Sequence, residues 1–106
     1  MLKPFFIRQN KLLKKIQPED VIGLSTEGNY TRIFLANKTF YMVRSTLSNA
    51  LKKLPQDMFI KIHRSIVVSV YYIDDIEKDH LVIDGESLPI GRQFYQSFID
   101  KLNIIE

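Results

Sequence analysis

The stretch FIKIHRSIVVSVYYIDDIEKDHLVIDGESLPI, residues 59–90, decides the fold. Short apolar runs rich in β-branched residues alternate in it with short polar segments, a pattern typical of β-strands joined by turns. Asp84-Gly85 between apolar runs is a strong signal for a tight hairpin. The predicted strands of this stretch are 59–62, 66–70, 73–76, 81–83 and 88–90.

The N-terminal part of the chain shows the same pattern. Gln9-Asn10-Lys11 separates two apolar runs and predicts a hairpin, and Glu27-Gly28-Asn29 predicts a turn because Gly and Asn tolerate positive φ. Pro18-Glu19-Asp20 and Asn37-Lys38 predict further turns. The strands predicted here are 5–7, 12–13, 21–24, 30–35 and 39–43.

Two segments have helical spacing instead. One apolar face consists of Leu47, Ala50, Leu51 and Leu54, and the other of Phe94, Phe98, Ile99 and Leu102. Ser45 or Thr46 can cap the first helix, and Pro55 stops it. Strands and helices do not alternate as βαβ units require. We therefore expect a mostly β fold of short antiparallel strands in packed sheets, with one short central helix and one C-terminal helix.

Length and composition indicate one ordinary globular domain. The 106 residues are 45% hydrophobic and 25% charged, so we expect a single domain over 1–106 with its core at about 5–103. Cysteine is absent, which excludes disulfides, thiolate zinc sites and cysteine nucleophiles. No apolar run approaches the ~20 residues of a membrane span. A cytoplasmic location without membrane contact is the expectation.

Charge is distributed unevenly along the chain. Residues 1–64 carry twelve Lys or Arg and four Asp or Glu, a balance of +8, whereas residues 65–106 carry three and eight, a balance of −5. A fold that gathers the basic half on one face would attract polyanions. The alternative is a solvated surface of no special role.

The sequence offers little for catalysis. Adjacent strand residues point to opposite faces, so His63 and Arg64 cannot share a pocket floor. Asp74, Asp75 and Asp79 could hold a divalent cation, although a solvated acidic loop is the favoured interpretation. The scattered glycines form no phosphate-binding loop. We expect no enzyme activity, no cofactor, no metal and no small-molecule substrate.

Three turn or strand-end sites carry polar groups that suit DNA. The first site surrounds Asn29, whose side chain can pair with adenine. The second site is residues 61–65, and the third is residues 89–93. Each has an ordinary alternative: a hairpin turn residue, an exposed strand edge, and a helix start with a surface Arg.

The order and spacing of these segments resemble the LytTR family of bacterial DNA-binding domains over essentially residues 5–103. The most specific part is the block Phe59-Ile60-Lys61-Ile62-His63-Arg64-Ser65. The other matching segments are 19–22, 27–31, 43–47, 67–68, Ile73, Ile76 and 88–92.

The resemblance implies an elongated, mostly antiparallel β fold that grips duplex DNA with loops. It implies base contacts from Asn29, Arg64 and Arg92, where each arginine could bind guanine as a bidentate fork in the major groove. Phosphate contacts are expected from neighbours in sequence: Tyr30, Arg32, Lys61, Ser65 and Gln93. His63 is expected to be structural. Gly91 and Ser69 depart from the family, where many members have Ser and Asn.

Partners follow from the same resemblance. Such domains regulate bacterial transcription, often bind paired sites as two copies, and often follow a phospho-accepting receiver domain. This chain is therefore expected to be the output domain of a two-component response regulator or a free-standing regulator. One alternative is a β-sheet protein-interaction module with a basic surface and no base readout. Another is single-stranded nucleic-acid binding through exposed aromatics, namely Tyr30, Tyr41, Tyr71 and Tyr72.

Overall fold

Antiparallel strands dominate the chain in a computed structural model that describes residues 2–106. The strands are β1 (Phe5–Gln9), β2 (Leu12–Ile16), β3 (Val21–Glu27), β4 (Tyr30–Leu35), β5 (Phe40–Val43), β6 (Phe59–His63), β7 (Ile66–Ser69), β8 (Ile73–Ile76), β9 (His80–Ile83) and β10 (Glu86–Pro89). The helices are α1 (Leu47–Lys52) and α2 (Tyr95–Asp100). With extents of 48 × 32 × 24 Å, the molecule is elongated. The predicted fold class is confirmed.

The strands form three antiparallel sheets. A central sheet has the order β5-β4-β3-β7-β6, β1 and β2 form a separate hairpin, and a third sheet has the order β10-β9-β8. The Asp84-Gly85 hairpin is confirmed, because both residues have positive φ, 49° and 82°, as a type I′ turn requires. Gly28, with φ 62°, serves the turn between β3 and β4 in the same way.

Two apolar cores lie on opposite faces of the central sheet. Neighbouring residues of β7 lie in different cores: Val67 belongs to the first core and Val68 to the second. Phe59 and Ile60 of β6 divide in the same manner. Since successive strand residues point to opposite faces, a strand segment buried on both sides has consecutive apolar residues. This double burial explains the adjacent apolar pairs Phe59-Ile60 and Val67-Val68.

Each core is closed by its own covering layer. Ile7 and Ile16 of the β1–β2 hairpin and Leu47 of α1 close the first core, whereas the β8–β10 sheet and Phe98 of α2 close the second. Thr46 rather than Ser45 caps α1, since its hydroxyl oxygen accepts the N–H of Asn49 at 3.1 Å.

Some boundaries differ from the predictions for local reasons. β7 ends at Ser69, whose hydroxyl oxygen accepts the N–H of Tyr71 at 3.3 Å and starts a 3-10 turn at Val70–Tyr72. The strand predicted at 88–90 is Glu86–Pro89 instead, because the tight turn at 84–85 lets pairing resume at once, Glu86 opposite Ile83. Phe94 lies in a 3-10 turn, Arg92–Phe94, before α2.

Candidate nucleic-acid interface

An open cleft of about 600 Å³ forms where three segments meet. These are the β3–β4 turn, the residues that enter α1, and the end of β6 with the turn after it. The lining residues are Thr26, Gly28, Asn29, Arg44, Ser45, Thr46, Leu47, Ser48, Asn49, Lys61 and Arg64. Three of them are cationic and none is acidic. The cleft is therefore suited to an anionic partner.

The turn after β6 presents Arg64 to solvent. His63 pairs with Ile66 across β6 and β7, so that Arg64 and Ser65 form the connection between the strands. The ring Nδ1 of His63 accepts the N–H of Ser65 at 3.2 Å and lies 3.0 Å from the Ser65 hydroxyl. The carbonyl of Ser65 accepts the N–H of Thr26 at 3.0 Å. These bonds fix the turn, whereas the Arg64 side chain stays exposed.

A buried hydroxyl anchors the opposite wall of the cleft. Thr31, fully buried in β4, donates to the carbonyl of Ser45 at 2.8 Å. Because a buried polar group without a partner costs free energy, this bond holds the segment before α1 in place. The adjacent Arg44 is exposed and lines the cleft.

Arg92 lies in a second recess of about 390 Å³, which is lined by Glu77, Lys78, Asp79, Ile90, Arg92 and Tyr95. The N–H of Gly91 donates to the carbonyl of Ile62 at 2.8 Å and joins this recess to the end of β6. The Lys61 ammonium, which lines the first cleft, lies 5.8 Å from the ring centre of Phe94. Arg64 and Arg92 are thus carried by joined segments but line different recesses.

The second recess carries an acidic turn, unlike the first. His80 Nδ1 lies 2.8 Å from a carboxylate oxygen of Asp79, and Nε2 lies 3.5 Å from Glu77. The hydrogen bond to Asp79, with the charges of Asp79 and Glu77, raises the pKa of His80 above its ordinary 6.5. The same hydrogen bond lowers the pKa of Asp79 below its ordinary 3.8. When His80 is protonated, its charge partly neutralises the acidic side chains of Glu77 and Asp79 in the recess that holds Arg92.

The residues proposed from sequence do not all share one surface. Asn29, Lys61 and Arg64 line the cleft. Ser65 lies beside Arg64 in the turn between β6 and β7. Gln93 is exposed beside Arg92.

Tyr30 and Arg32 belong to the other face of β4, since the buried Thr31 between them shares its face with Ile33, which is part of the first core. Arg32 pairs with Glu27 at 2.5 Å and lies 5.6 Å from the ring centre of Phe40. Its Nε is buried and has no hydrogen-bond partner among the described residues.

Sequence reasoning missed Arg44 and Asn49 as site residues. Arg44 lies between the end of β5 and Thr46, the N-cap of α1, and Asn49 lies in the first turn of α1. The available signal was a cation between the last residue of a strand and a helix cap. Arg44 becomes part of a site only because the fold brings the segment before α1 close to the turn that contains Asn29.

The two departures from the family pattern have local explanations. Ser69 caps the 3-10 turn, as described above. A Cβ at Gly91 would lie 2.9 Å from Cδ2 of Phe94, so the Phe94 ring occupies the space a side chain would need.

The four tyrosines considered for base stacking differ in their exposure. Tyr41 packs on the first core. Tyr72 packs on the second and donates its hydroxyl to the carbonyl of Glu19 at 2.7 Å. Burial, and then the charges of Asp20 and two further carboxylates, raise the pKa of Tyr72 above its ordinary 10.0. Tyr30 and Tyr71 are exposed.

Two kinds of feature are absent from residues 2–106. No group of three or more His, Asp or Glu residues in this range could hold a metal ion. No helix in the same range is long and apolar enough to cross a membrane.

Comparison with known proteins identifies the family. The family model described as LytTr DNA-binding domain matches residues 11–103. Sensory transduction protein LytT of Bacillus subtilis is 32% identical over 98 residues, covering 84% of this chain and 39% of that protein. LytT of Enterococcus faecalis is 28% identical over 95 residues, with the same coverage of 84% and 39%. The chain thus spans about two fifths of the length of these relatives.

A solved structure shares the fold. It is the LytTr DNA-binding domain of a Bacillus cereus protein described as a methyl-accepting/DNA response regulator, at TM-score 0.82 and 22% identity, covering 98% of this chain and 100% of that one. Because the family model covers most of the chain, this protein belongs to the LytTR family of DNA-binding domains.

Proposed function

We propose that this domain binds duplex DNA sequence-specifically by inserting the Asn29 and Arg64 turns into a major groove. The observation that carries the proposal is the cleft itself, in which Asn29 and Arg64 meet Arg44 and Lys61 without an acidic residue. A polyanion gains from such a site, and its counterions are released on binding.

The residues proposed to contact bases, Arg64 and Asn29, lie in turns and are exposed. Arg64 is exposed at a rigid turn, and its planar guanidinium matches O6 and N7 of guanine. Asn29 is exposed beside Gly28 and can pair with adenine. Because hydrogen bonds hold the Arg64 turn in the free protein, little ordering is needed on binding.

The remaining polar residues are proposed to contact phosphates. Lys61 and Arg44 line the cleft, and Ser65 lies in the turn after β6, so we include Arg44 in the proposed set. Arg92 and Gln93 supply a second contact region, with Arg92 proposed to read a base. The molecule is 48 Å long, and one turn of DNA is about 34 Å, so one domain can contact neighbouring grooves. Because Tyr30 and Arg32 lie on the other face of β4, we propose that they contact phosphates only beside the main DNA contact. Arg32 must then break its ion pair with Glu27.

The relatives suggest the biological role. A match from Staphylococcus aureus, 25% identical over 96 residues, is a transcriptional regulatory protein, LytR. We propose transcription regulation for this chain too, with residues 1–106 forming one DNA-binding domain. The relatives are about two and a half times longer than the matched part, which leaves room in them for further domains. A receiver domain joined to this chain, and a second copy on paired sites, belong to the proposal.

Selection of duplexes from a randomised pool tests base readout. Wild type, Arg64→Ala and Lys38→Asn would be compared at moderate salt. Lys38 is a matched control, because it lies outside the cleft and its φ of 67° suits Asn. We expect wild type and Lys38→Asn to enrich the same motif. Arg64→Ala should lose about 1–3 kcal/mol at one position of that motif.

Other outcomes have distinct meanings. An equal loss of Arg64→Ala on specific and random duplexes contradicts base reading by Arg64. Enrichment of no motif by any of the three proteins contradicts sequence-specific binding by this chain.

An apolar groove favours the protein-interaction module as the second candidate. It has a volume of about 520 Å³ and is lined in part by the half-buried Phe34 and the exposed Phe40, whose ring centres lie 5.8 Å apart. A protein that uses only this groove should bind duplex weakly and without base preference, so the same selection separates the two functions.

A further inference from the structure

The β1–β2 hairpin exposes a face that is both apolar and basic. Cross-strand pairing places Phe6 beside Lys15 and Arg8 beside Leu13. These four residues, the hairpin face, point away from Ile7, which is buried in the first core. Phe6 and Leu13 are each 56% exposed. Residues 3–15 contain five Lys or Arg and no acid. The hairpin face is therefore an apolar centre framed by positive charge.

A second surface has the complementary character. Residues 101–105 lie along β8 and line a recess of about 520 Å³ together with Asp57, Asp74 and Asp75. Ile104 is 51% exposed and Ile105 fully exposed. We call Asp57, Asp74, Asp75, Ile104 and Ile105 the C-terminal patch, which combines three carboxylates with two exposed isoleucines. Lys101 is the one cation in the recess.

The two surfaces cannot meet within one molecule. The hairpin covers the first core and contacts β5, one edge of the central sheet, whereas the β8–β10 sheet and α2 cover the second core, with α2 on β6 at the other edge. The sheet lies between them. The hairpin face, which is basic, and the recess that contains Asp57, Asp74 and Asp75 therefore lie on opposite sides of the domain.

We propose that the hairpin face of one copy docks on the C-terminal patch of a second copy. Charge complementarity selects this occupant: Arg8 and Lys15 face Asp74 and Asp75, and Phe6 and Leu13 cover Ile104 and Ile105. Because the two surfaces differ, the contact is heterologous and leaves one free surface at each end of a pair. A like-to-like contact would oppose equal charges.

The contact is small, so it should be weak and sensitive to salt. A single hairpin face covers less area than the roughly 1,200 Å² of stable specific interfaces. Exposed charges are screened over ~10 Å at about 0.1 M salt and over ~3 Å at about 1 M. Association should therefore be visible at high protein concentration and low salt, and should weaken as salt is added.

Sedimentation analysis of the free domain tests the proposal without DNA, so its outcome is independent of the proposed DNA readout. One variant, Phe6→Ser with Leu13→Ser, blocks the hairpin face. The other, Asp74→Asn with Asp75→Asn, blocks the C-terminal patch. All four side chains are exposed, and circular dichroism would verify that both variants are folded.

The expected results separate a heterologous contact from other kinds. Wild type should show a mass that rises with concentration up to ~1 mM and falls with salt. Each variant alone should remain a monomer. An equimolar mixture should form a dimer and nothing larger, because each variant supplies the surface that the other lacks. A monomeric wild type at ~1 mM, self-association of either variant, or a mixture that stays monomeric would each overturn the proposal.

Discussion

The ring nitrogen Nδ1 of His63 accepts the backbone N–H of Ser65 at 3.2 Å, across the residue proposed to read DNA. A backbone N–H can only donate, so Nδ1 carries no hydrogen and the ring hydrogen is on Nε2. The imidazole of His63 is therefore hydrogen-bonded to the backbone of Ser65, and Arg64 lies between these two residues in the turn. This bond is consistent with the structural role that the sequence analysis expects for His63.

Replacement of His63 should weaken DNA binding through the turn. His63→Ala leaves the Ser65 N–H without its partner and allows Arg64 to move, so we expect a loss of about 1 kcal/mol in stability and a several-fold weaker affinity for a selected duplex. His63→Asn should retain most of both, because an Asn side chain accepts the N–H two residues on in an Asx turn.

Urea unfolding and duplex titration measure the two effects, and amide exchange at Ser65 reports the bond itself. Equal behaviour of the Ala and Asn variants, with unchanged exchange at Ser65, would show that the imidazole does not hold the turn.

Arg44 provides a prediction that sequence reasoning alone did not make. Arg44→Ala should weaken binding to specific and random duplexes alike and reduce the slope of affinity against salt by about one counterion, as expected for a phosphate contact. Lys52→Ala is a suitable control, since Lys52 is also exposed near α1 but lies outside the cleft. A change in base preference for Arg44→Ala would instead assign Arg44 to base reading.

The sequence predicted the elements better than their arrangement. Spacing located both helices, and turn chemistry located the hairpin at Asp84-Gly85, because these signals act over a few residues. The division of Val67 and Val68 between two cores has no local signal. An apolar run shows that a strand is buried, but which layers cover its two faces depends on long-range contacts.

The candidate site shows the same limit. Asn29 and Arg64 were proposed separately, and the fold brings them into one cleft. Arg32 shows the opposite result: its place in sequence next to Asn29 suggested a shared surface, but alternation along β4 sends its side chain to Glu27 and Phe40. The partner of a strand residue is set by register and face rather than by proximity in sequence.

Gly91 should resist substitution because of its neighbour Phe94. Gly91→Ala places a Cβ 2.9 Å from Cδ2 of the Phe94 ring, so the ring must shift, and we expect a destabilisation of about 1–3 kcal/mol. The same substitution should weaken the hydrogen bond from the Gly91 N–H to the Ile62 carbonyl. Because Arg92 is the next residue in the chain, its position should change as well. Combining Gly91→Ala with Phe94→Leu should recover part of the stability, since leucine is smaller. Thermal unfolding tests both, and no recovery in the double variant would place the strain elsewhere.

The pair of His80 and Asp79 should make stability depend on pH. The raised pKa of His80 means that its contribution is fully present below its ordinary 6.5 and is lost as pH rises through the folded-state value. The lowered pKa of Asp79 means that its contribution is present above 3.8 and is lost as pH falls through the folded-state value. The pair therefore stabilises the fold most between 3.8 and 6.5, and less once the pH has risen through the folded-state pKa of His80. His80→Gln should be less stable than wild type below pH 6.5, and the difference should shrink as the pH rises through the folded-state pKa of His80, as measured by urea unfolding at several pH values. A difference that stays constant from mildly acidic to alkaline pH would show that the protonated ring contributes nothing to the folded state.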